Sequence, residues 1–455
     1  MLVKRFLFFL FFFFLCSSSI LFALSKEETN IKKLQSLFQS GRLEEASTYA
    51  YELLRHYSSC DLCWRVIGES ALCFGKLEEA KEAFQHALKL FPEDKKSLAL
   101  LREVYIRQDR YLQAAQIAYA LGEYGQGDLL KSFGEHKPFL VESKSPYVKI
   151  QFKEIVPYPV IEVELSGIKA RFMIDTGSTY VLLSPRLAKK AAVELFRKEK
   201  EQSTQGSFWI QWAKIPSLSL GGATIKNIPA LVHSLLDIPR SGMMIDGILG
   251  ENFLSHFIPS FDLRGRWKRT PKYFILGLSH DNVQIPFEKG PQDEQRKTQV
   301  PFLIGPAQTL LVQASINRSF PLLFLLDTAT PGYFACSPSI AKFSKIWIQK
   351  NFSNEEPYIH RGRGTNLDVQ WELGASRGSS QIGQASQIEI RGEKIHGSLP
   401  GIVGSLPYNM DADLGFYTGG TIGFGFFYDK QVTIDYRNQQ LYFLTPMPRS
   451  SKTKR

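Results

Sequence analysis

Two aspartates lie in matching sequence surroundings that suit them to work as a pair. Asp175 follows the apolar residues 172–174 and opens the segment Asp175-Thr176-Gly177-Ser178. Asp327 follows the apolar residues 324–326 and opens the segment Asp327-Thr328-Ala329-Thr330. An apolar run that ends in a turn predicts a buried strand end, which would hold each carboxylate on rigid backbone. Two carboxylates placed side by side share one proton, because like charges about 3 Å apart cannot both ionise.

A glycine segment downstream of each aspartate also occurs twice. Gly250 ends the segment Gly-Ile-Leu-Gly, and Gly423 ends the segment Gly-Thr-Ile-Gly. When these two glycines are aligned, Asp262 matches Asp435 without a gap. We interpret Asp262 and Asp435 as turn residues at strand ends. The order of the matches indicates an internal duplication.

The pattern resembles the aspartic peptidases of the pepsin and retropepsin type, above all the bacterial retropepsin-like domains. Those have an apolar-apolar-Asp-Thr-Gly-Ser/Ala/Thr motif followed by an apolar-apolar-Gly segment. The resemblance implies an all-β fold of two lobes, at residues 146–287 and 298–447. It also implies that Asp175 and Asp327 activate a water molecule between them, one as general base and the other, protonated, polarising the scissile carbonyl. No metal and no cofactor is implied, and one chain would suffice for catalysis.

The resemblance assigns supporting roles to the residues around the two aspartates. Thr176 and Thr328 would lock the two loops together, and Ser178 would donate a hydrogen bond to Asp175. Gly250 and Gly423 would pack beneath the loops, where glycine permits close backbone approach. Ala329 stands where the family has glycine. A negative φ would tolerate this alanine, whereas a positive φ would strain it and leave the second lobe catalytically impaired.

Further elements are expected around these motifs. Polar residues 201–207 occupy the position of the family's flap, a mobile hairpin that closes over substrate. Residues 375–383 are the candidate second flap, residues 186–196 are predicted to form a short helix, and residues 288–297 are predicted to link the lobes.

Residues 27–135 carry a helical repeat. The motif Gly-Arg-Leu-Glu-Glu-Ala at residues 41–46 recurs at residues 75–80 and, in looser form, at 109–114, so that each step is 34 residues. That step is the period of tetratricopeptide repeats, which this segment resembles. Such repeats offer a concave surface to a partner peptide or to a neighbouring domain. Alternatively, the repeats serve only as a spacer that holds the catalytic part of the chain away from the membrane. Residues 125–145 are interpreted as a linker.

The N-terminal residues 1–25 predict a signal peptide or, if uncleaved, a membrane anchor, because two basic residues precede an apolar stretch. We therefore expect an exported protein, periplasmic or anchored facing the periplasm. The net charge of +11 is spread along the chain apart from a basic tail at residues 448–455, and no nucleic-acid recognition motif accompanies it. Cys60 and Cys63 lack a βαβ context and further ligands, so we interpret them as buried or incidentally paired thiols.

The sequence thus predicts an exported aspartic endopeptidase with an N-terminal tetratricopeptide domain. Its substrate would be a polypeptide. One alternative is a non-catalytic module whose cleft binds an extended peptide while the helical repeats recruit a partner. Another is that the first lobe dimerises, as single-lobe retropepsins do, and the second lobe is structural.

Overall fold

The computed structural model describes residues 27–134, 136–203, 206–237, 244–265, 270–279, 295–348, 381–404, 411 and 414–446. The predicted N-terminal segment 1–25 and the basic tail 448–455 lie outside this part of the chain. Within it, no helix combines the length and apolar character needed to cross a bilayer. The described chain begins with helices and continues as two β lobes, which confirms the fold class expected from the sequence.

The N-terminal helices are arranged in pairs. They are α1 (27–39), α2 (Leu43–Leu54), α3 (Asp61–Cys73), α4 (Leu77–Leu90), α5 (Lys95–Arg107), α6 (Tyr111–Ala120) and α7 (Tyr124–Ser132). Helices α2, α4 and α6 begin 34 residues apart (77 − 43 = 34; 111 − 77 = 34), and the same step separates the starts of α3 and α5 (95 − 61 = 34). The repeat read from the sequence is therefore a repeat of helix pairs.

The repeated residues explain why the helices pair. Gly41, Gly75 and Asp109 each end a helix with a positive φ (72°, 69° and 55°), the left-handed conformation that reverses the chain. Ala46, Ala80 and Ala114 are fully buried, and their small side chains let neighbouring helices approach closely. At the start of α3, Cys60 and Cys63 form a disulfide, in agreement with the interpretation as paired thiols.

The first lobe is an eight-stranded sheet with the order β1-β8-β5-β9-β4-β3-β7-β6. Its strands are β1 (Leu140–Glu142), β3 (Val160–Leu165), β4 (Ile168–Ile174), β5 (Val181–Leu183), β6 (Glu194–Ser203), β7 (Gly206–Leu220), β8 (Ala223–His233) and β9 (Gly247–Leu249). Helix α8 (Pro185–Lys190) follows β5, a 3-10 helix (Ser234–Asp237) follows β8, and α9 (Glu251–Leu254) follows β9.

The second lobe repeats this arrangement in a sheet with the order β13-β14-β15-β20-β16-β19-β18-β17. Its strands are β13 (Leu303–Ile304), β14 (Leu310–Ile316), β15 (Leu322–Asp327), β16 (Phe334–Cys336), β17 (Trp347–Ile348), β18 (Gln381–Ile390), β19 (Glu393–Val403) and β20 (Thr421–Gly423). Helix α10 (Pro338–Phe343) follows β16, and 3-10 helices occupy Pro306–Gln308 and Phe424–Phe427. In each lobe the strand before the aspartate pairs in parallel with the strand of the glycine segment.

A third sheet joins the lobes about a pseudo-twofold axis. Its order is β12-β22-β21-β10-β11-β2, with β2 (Tyr147–Gln151), β10 (Ile258–Asp262), β11 (Tyr273–Gly277), β12 (Gln295–Pro301), β21 (Gln431–Asp435) and β22 (Gln440–Pro446). At its centre Ser260 faces Thr433, and their hydroxyl oxygens lie 2.8 Å apart. The sequence offset between Gly250 and Gly423 also relates Ser260 to Thr433, so equivalent residues meet at the axis.

The helical domain packs directly against both lobes. Leu311, Leu414 and Phe416 of the second lobe share a buried cluster with residues of α1, α2, α3 and α4. Trp212 and Leu231 of the first lobe share another cluster with α6 and α7. The helices therefore contact the β domain along their length and do not stand off from it as a spacer would.

The structure corrects three expectations about connecting segments. Residues 125–145 are not a plain linker, because they include most of α7 and all of β1. A helix was expected at residues 186–196, but α8 ends at Lys190, and residues 194–196 belong to β6 instead. Strand β12 begins at Gln295, inside the segment assigned to the inter-lobe linker, and residues 288–294 lie outside the described part.

Candidate active site

Each of the two aspartates is placed by a pair of parallel strands. Ile174, the last residue of β4, pairs with Leu249 of β9, and the Asp175 amide donates a 3.0 Å hydrogen bond to the Leu249 carbonyl. In the second lobe Asp327 itself pairs with Gly423 of β20. The apolar residues before each aspartate are buried, which anchors both loops in the core. The carboxylates are thus held on sheet backbone, as the sequence predicts.

Two threonines link the loops across the lobe boundary. The Thr328 amide donates to Thr176 Oγ1 at 3.0 Å, and the Thr176 amide donates to Thr328 Oγ1 at 3.1 Å. The Thr176 hydroxyl in turn donates to the Leu326 carbonyl, and the Thr328 hydroxyl donates to the Ile174 carbonyl, each at 2.7 Å. Both threonines are buried. These four hydrogen bonds fix the position of one aspartate relative to the other.

The two carboxyl groups lie in contact. Asp327 forms a side-chain hydrogen bond with Asp175, and each accepts a hydrogen bond at Oδ1 from the amide two residues later, Gly177 N at 2.8 Å and Ala329 N at 2.7 Å. Burial raises the pKa of Asp327, and hydrogen bonds from Thr330, Ala329 and Asp175 oppose the rise. A raised pKa on one member of the pair is what a shared proton requires.

Position 177 must be glycine because of close packing. A Cβ on Gly177 would lie 2.7 Å from Cγ of Asp327, closer than two carbons can approach. Ala329 occupies the equivalent place in the second lobe and lacks a positive φ. Its methyl group packs against a first-lobe cluster that includes Val160 and Met173. The alanine therefore fits without the backbone strain that would impair the second loop.

Gly250 and Gly423 pack closely against the loops that follow Asp175 and Asp327, as expected. A Cβ on Gly250 would lie 2.3 Å from the Tyr180 carbonyl oxygen, and one on Gly423 would lie 2.6 Å from the carbonyl oxygens of Thr330 and Gly332. The residue after each glycine donates to the matching loop carbonyl, at 2.7 Å in the first lobe and 3.2 Å in the second. Any larger side chain would push the loops away.

The hydroxyl residues at the end of each loop behave differently. Thr330 Oγ1 donates to Asp327 Oδ2 at 2.6 Å and lies 3.0 Å from Thr421 Oγ1. Ser178 was expected to donate to Asp175, but its hydroxyl donates to the Tyr180 carbonyl at 3.1 Å. The smaller side chain of Ser178 turns to its own loop, so the role assigned to it is wrong in this structure.

The first expected flap coincides with a hairpin. Strands β6 and β7 pair as far as Ser203 and Gly206, and residues 204–205 between them lie outside the described part. Most of the second candidate flap, residues 375–380, also lies outside it, while residues 381–383 begin β18. Helix α7 contacts the middle of β6, where the Gly125 amide donates to Glu199 Oε1 at 2.7 Å.

A buried carboxyl group that the sequence analysis missed lies next to the aspartate pair. Glu251 Oε1 accepts a 2.9 Å hydrogen bond from the Tyr436 hydroxyl, and the residue is 1% exposed. Burial raises the pKa of Glu251 well above its usual value, and the charge of Asp175 raises it further. The available signal was an acidic residue directly after Gly250, where the second lobe has Phe424. The described residues contain no cluster of His, Cys, Asp and Glu that could hold a metal ion.

Comparison with known proteins agrees with this geometry for the first lobe. Residues 161–253 match the family model described as aspartyl protease. The chain is also similar to the crystal structure of basic 7S globulin from soybean, with 12% sequence identity, a TM-score of 0.36 and coverage of 67% of this chain and 95% of that one. No curated protein sequence matches. The first lobe, in which Asp175 lies, therefore matches an aspartyl protease domain over residues 161–253.

Proposed function

We propose that the protein is an exported aspartic endopeptidase that hydrolyses polypeptides with a water molecule held between Asp175 and Asp327. The observation that carries the proposal is the contact of the two carboxyl groups across the lobe boundary, fixed by Thr176 and Thr328. A carboxyl pair with one proton can act as base and acid at once.

The two aspartates take different roles in this mechanism. The pair shares one proton, and the carboxyl group that carries it donates a hydrogen bond to the scissile carbonyl. The other, ionised carboxylate removes a proton from the water, which then attacks the carbonyl carbon. The proton passes to the leaving nitrogen as the tetrahedral intermediate collapses. The hairpin of β6 and β7 would close over the substrate and exclude bulk water.

Peptide cleavage by single Asp-to-Asn variants tests the proposal. We expect Asp175→Asn and Asp327→Asn each to lower kcat/KM by roughly 10²–10⁴-fold, since either change removes acid–base catalysis. Pepstatin should inhibit the parent protein. Asp262→Asn is the matched control, because Asp262 pairs with Arg264 at a strand end and lies outside the site. Full activity of Asp327→Asn, with loss in Asp175→Asn, would instead indicate a dimer of first lobes.

The other candidate function is a peptide-binding module without catalysis. Ala329 at the family's glycine position was the reason to consider it, and the absence of a positive φ at Ala329 speaks against it. Binding of pepstatin without cleavage of any peptide, measured by calorimetry and mass spectrometry, would favour the binding module.

Export and the repeat family are also part of the proposal. Residues 1–25 have the composition of a signal peptide, and the Cys60–Cys63 disulfide suits an oxidising compartment such as the periplasm. The 34-residue step of the helix pairs supports a tetratricopeptide-like domain. Fractionation of cells and N-terminal sequencing of the mature chain would test export. A cytoplasmic, disulfide-free protein with residues 1–25 retained would contradict it.

A further inference from the structure

Three aromatic side chains of the second lobe are exposed to solvent. Phe320, between β14 and β15, is 76% exposed, Trp347 of β17 is 61% exposed, and Phe343, the last residue of α10, is 49% exposed. Phe320 and Phe343 are the chain neighbours of Ser319 and Ser344, whose hydroxyl oxygens lie 3.4 Å apart. Trp347 follows Ser344 by three residues. The three aromatic residues therefore belong to one region of the surface, which we call the aromatic patch.

Hydrogen bonds hold the backbone beneath the aromatic patch. The Asn317 side chain donates from Nδ2 to the Lys345 carbonyl at 3.1 Å and accepts at Oδ1 from the Ser386 amide at 2.7 Å. Asn317 and Arg318 have φ values of 51° and 60°, as in a tight hairpin turn. The turn is thus tied to β18 and to the chain between α10 and β17, so the aromatic side chains are carried by fixed backbone.

The charge of the aromatic patch is positive. Two segments form it, residues 317–321 and 338–348, and neither contains an aspartate or a glutamate. They contain three exposed cations: Arg318, Lys342 and Lys345. Within the described ranges, no carboxylate forms an ion pair with any of these cations. The acidic residue of the adjoining β18, Glu389, is paired with Lys394 at 3.0 Å. Apolar rings and cations are therefore exposed together.

This combination matches the surface of an anionic bilayer. Exposed apolar patches mark sites of contact with proteins or membranes. Aromatic side chains favour the boundary between headgroups and acyl chains, and lysine and arginine attract anionic headgroups. A protein partner needs a surface of matching shape, whereas lipid adapts to the shape it meets. A tight turn with the strongly exposed Phe320 therefore suits lipid better than a protein.

We propose that the aromatic patch docks the second lobe on an anionic membrane surface. Phe320 and Trp347 enter the headgroup region, while Lys342 and Lys345 contact lipid phosphates. The patch does not include the aspartate pair, so the proposal holds whether or not the protein cleaves peptides. Docking in this way sets the orientation of the second lobe relative to the bilayer.

Quenching of Trp347 fluorescence by brominated lipid tests the proposal in the full-length chain. The vesicles contain brominated phosphatidylcholine, either alone or in equal mixture with brominated phosphatidylglycerol. Trp347→Phe is measured beside the parent protein, so that the difference reports Trp347. In about 0.1 M salt we expect anionic vesicles to quench this signal by about half and neutral vesicles to leave it nearly unchanged. Residues 1–25 contain no tryptophan and give no signal of their own.

Further variants separate charge from apolar contact. Lys342→Gln combined with Lys345→Gln should raise the lipid concentration for half-maximal quenching about fivefold for each charge removed. Phe320→Ser should raise it about tenfold, since a buried phenylalanine is returned to water. The matched control combines Phe91→Ser with Lys89→Gln, an exposed aromatic residue and an exposed cation of the helical domain, and should change nothing.

Three results would overturn the proposal. Unchanged Trp347 fluorescence on anionic vesicles would show that the aromatic patch does not contact lipid. Equal quenching on neutral and anionic vesicles, insensitive to about 0.5 M salt, would show that the cations do not recognise headgroups. Binding of polyglutamate that depends on Lys342 and Lys345, without quenching on vesicles, would assign the patch to an acidic protein partner.

Discussion

At the scale of single residues, the site depends on four buried hydrogen bonds between the two aspartate loops. The hydroxyls of Thr176 and Thr328 each accept one hydrogen bond and donate another, so four buried groups are satisfied by two side chains. The same residues set the separation of the carboxyl groups. Stability and the proposed catalysis are therefore coupled at these positions.

Replacing Thr328 by valine should show this coupling. The change preserves shape but leaves the Thr176 amide and the Ile174 carbonyl without partners, at a cost of about 1–3 kcal/mol for each buried group. We expect a lower free energy of unfolding in urea together with a loss of kcat. Thr48→Val is the control, because Thr48 is exposed on α2. A variant as stable and active as the parent would mean that the loops are held by other contacts.

The pH dependence of stability should reveal Glu251. Its pKa is raised by burial, so the folded state holds a proton that the unfolded chain releases near its ordinary pKa. The stability that this proton provides is present at acidic pH and is lost as pH rises through the raised, folded-state pKa. Glu251→Gln keeps an acceptor for the Tyr436 hydroxyl and cannot ionise.

We therefore expect the Tm of Glu251→Gln, measured by calorimetry, to rise relative to the Tm of the parent protein as the pH increases from 5 to 8. Glu162→Gln, at an exposed carboxylate, provides the control. Parallel pH profiles for the parent and Glu251→Gln would show that Glu251 is ionised in the folded protein.

At the scale of elements, helix α5 and the 3-10 helix of the second lobe hold each other. Glu103 accepts hydrogen bonds from the amides of Ala307 and Gln308, and Arg107 donates to the Ile304 and Gly305 carbonyls. Ala307 and Gln308 have φ values of 56° and 59°, which L residues seldom adopt. The contact with α5 stabilises a backbone conformation that would otherwise be unfavourable.

Ala307→Gly should therefore stabilise the protein by about 0.5–1 kcal/mol, because glycine adopts a positive φ without the steric cost that alanine carries. Chemical denaturation measures this difference. Ala99→Gly within α5 is the matched comparison and should destabilise by about 1 kcal/mol, since the helix interior disfavours glycine. A loss of stability in Ala307→Gly would argue that the alanine methyl group makes a packing contact of greater value.

At the scale of the whole molecule, the helices and the β domain share buried surface. Phe416 of the second lobe is 1% exposed and packs edge-on against Phe38 of α1, with ring centroids 5.8 Å apart. The Tyr417 amide donates to the Gln39 carbonyl at 2.8 Å. Contacts of this kind join the helical repeat to the β domain through buried surface.

Phe416→Ala should weaken the packing between the helical domain and the β domain. Truncation of a buried phenylalanine costs about 3–5 kcal/mol, and here the loss falls on the boundary between the two domains. We expect helical structure, followed by far-UV circular dichroism, to melt before the β domain, followed by near-UV signals. The parent should show coincident transitions. Phe343→Ala, at a side chain 49% exposed, should keep them coincident. Coincident melting in Phe416→Ala would mean that other contacts dominate the boundary.

Short patterns in the sequence encode the strand ends, the two matching lobes and the helix pairs. Apolar runs before Asp175 and Asp327 specified strand ends, and the duplicated glycine segment specified two matching lobes, because strands and tight turns depend on neighbouring residues. The 34-residue step specified helix pairs for the same reason. These local signals placed the candidate site before any contact was known.

The assembled fold determines which groups far apart in the chain come into contact. It turned the Ser178 hydroxyl to a carbonyl of its own loop, buried Glu251 against Tyr436 beside the aspartate pair, and set α5 against the 3-10 helix of the second lobe. These outcomes depend on packing between segments far apart in the chain. The residue pattern of one segment does not show which distant segment it will contact. The physical reason is that burial and charge are properties of the assembled fold.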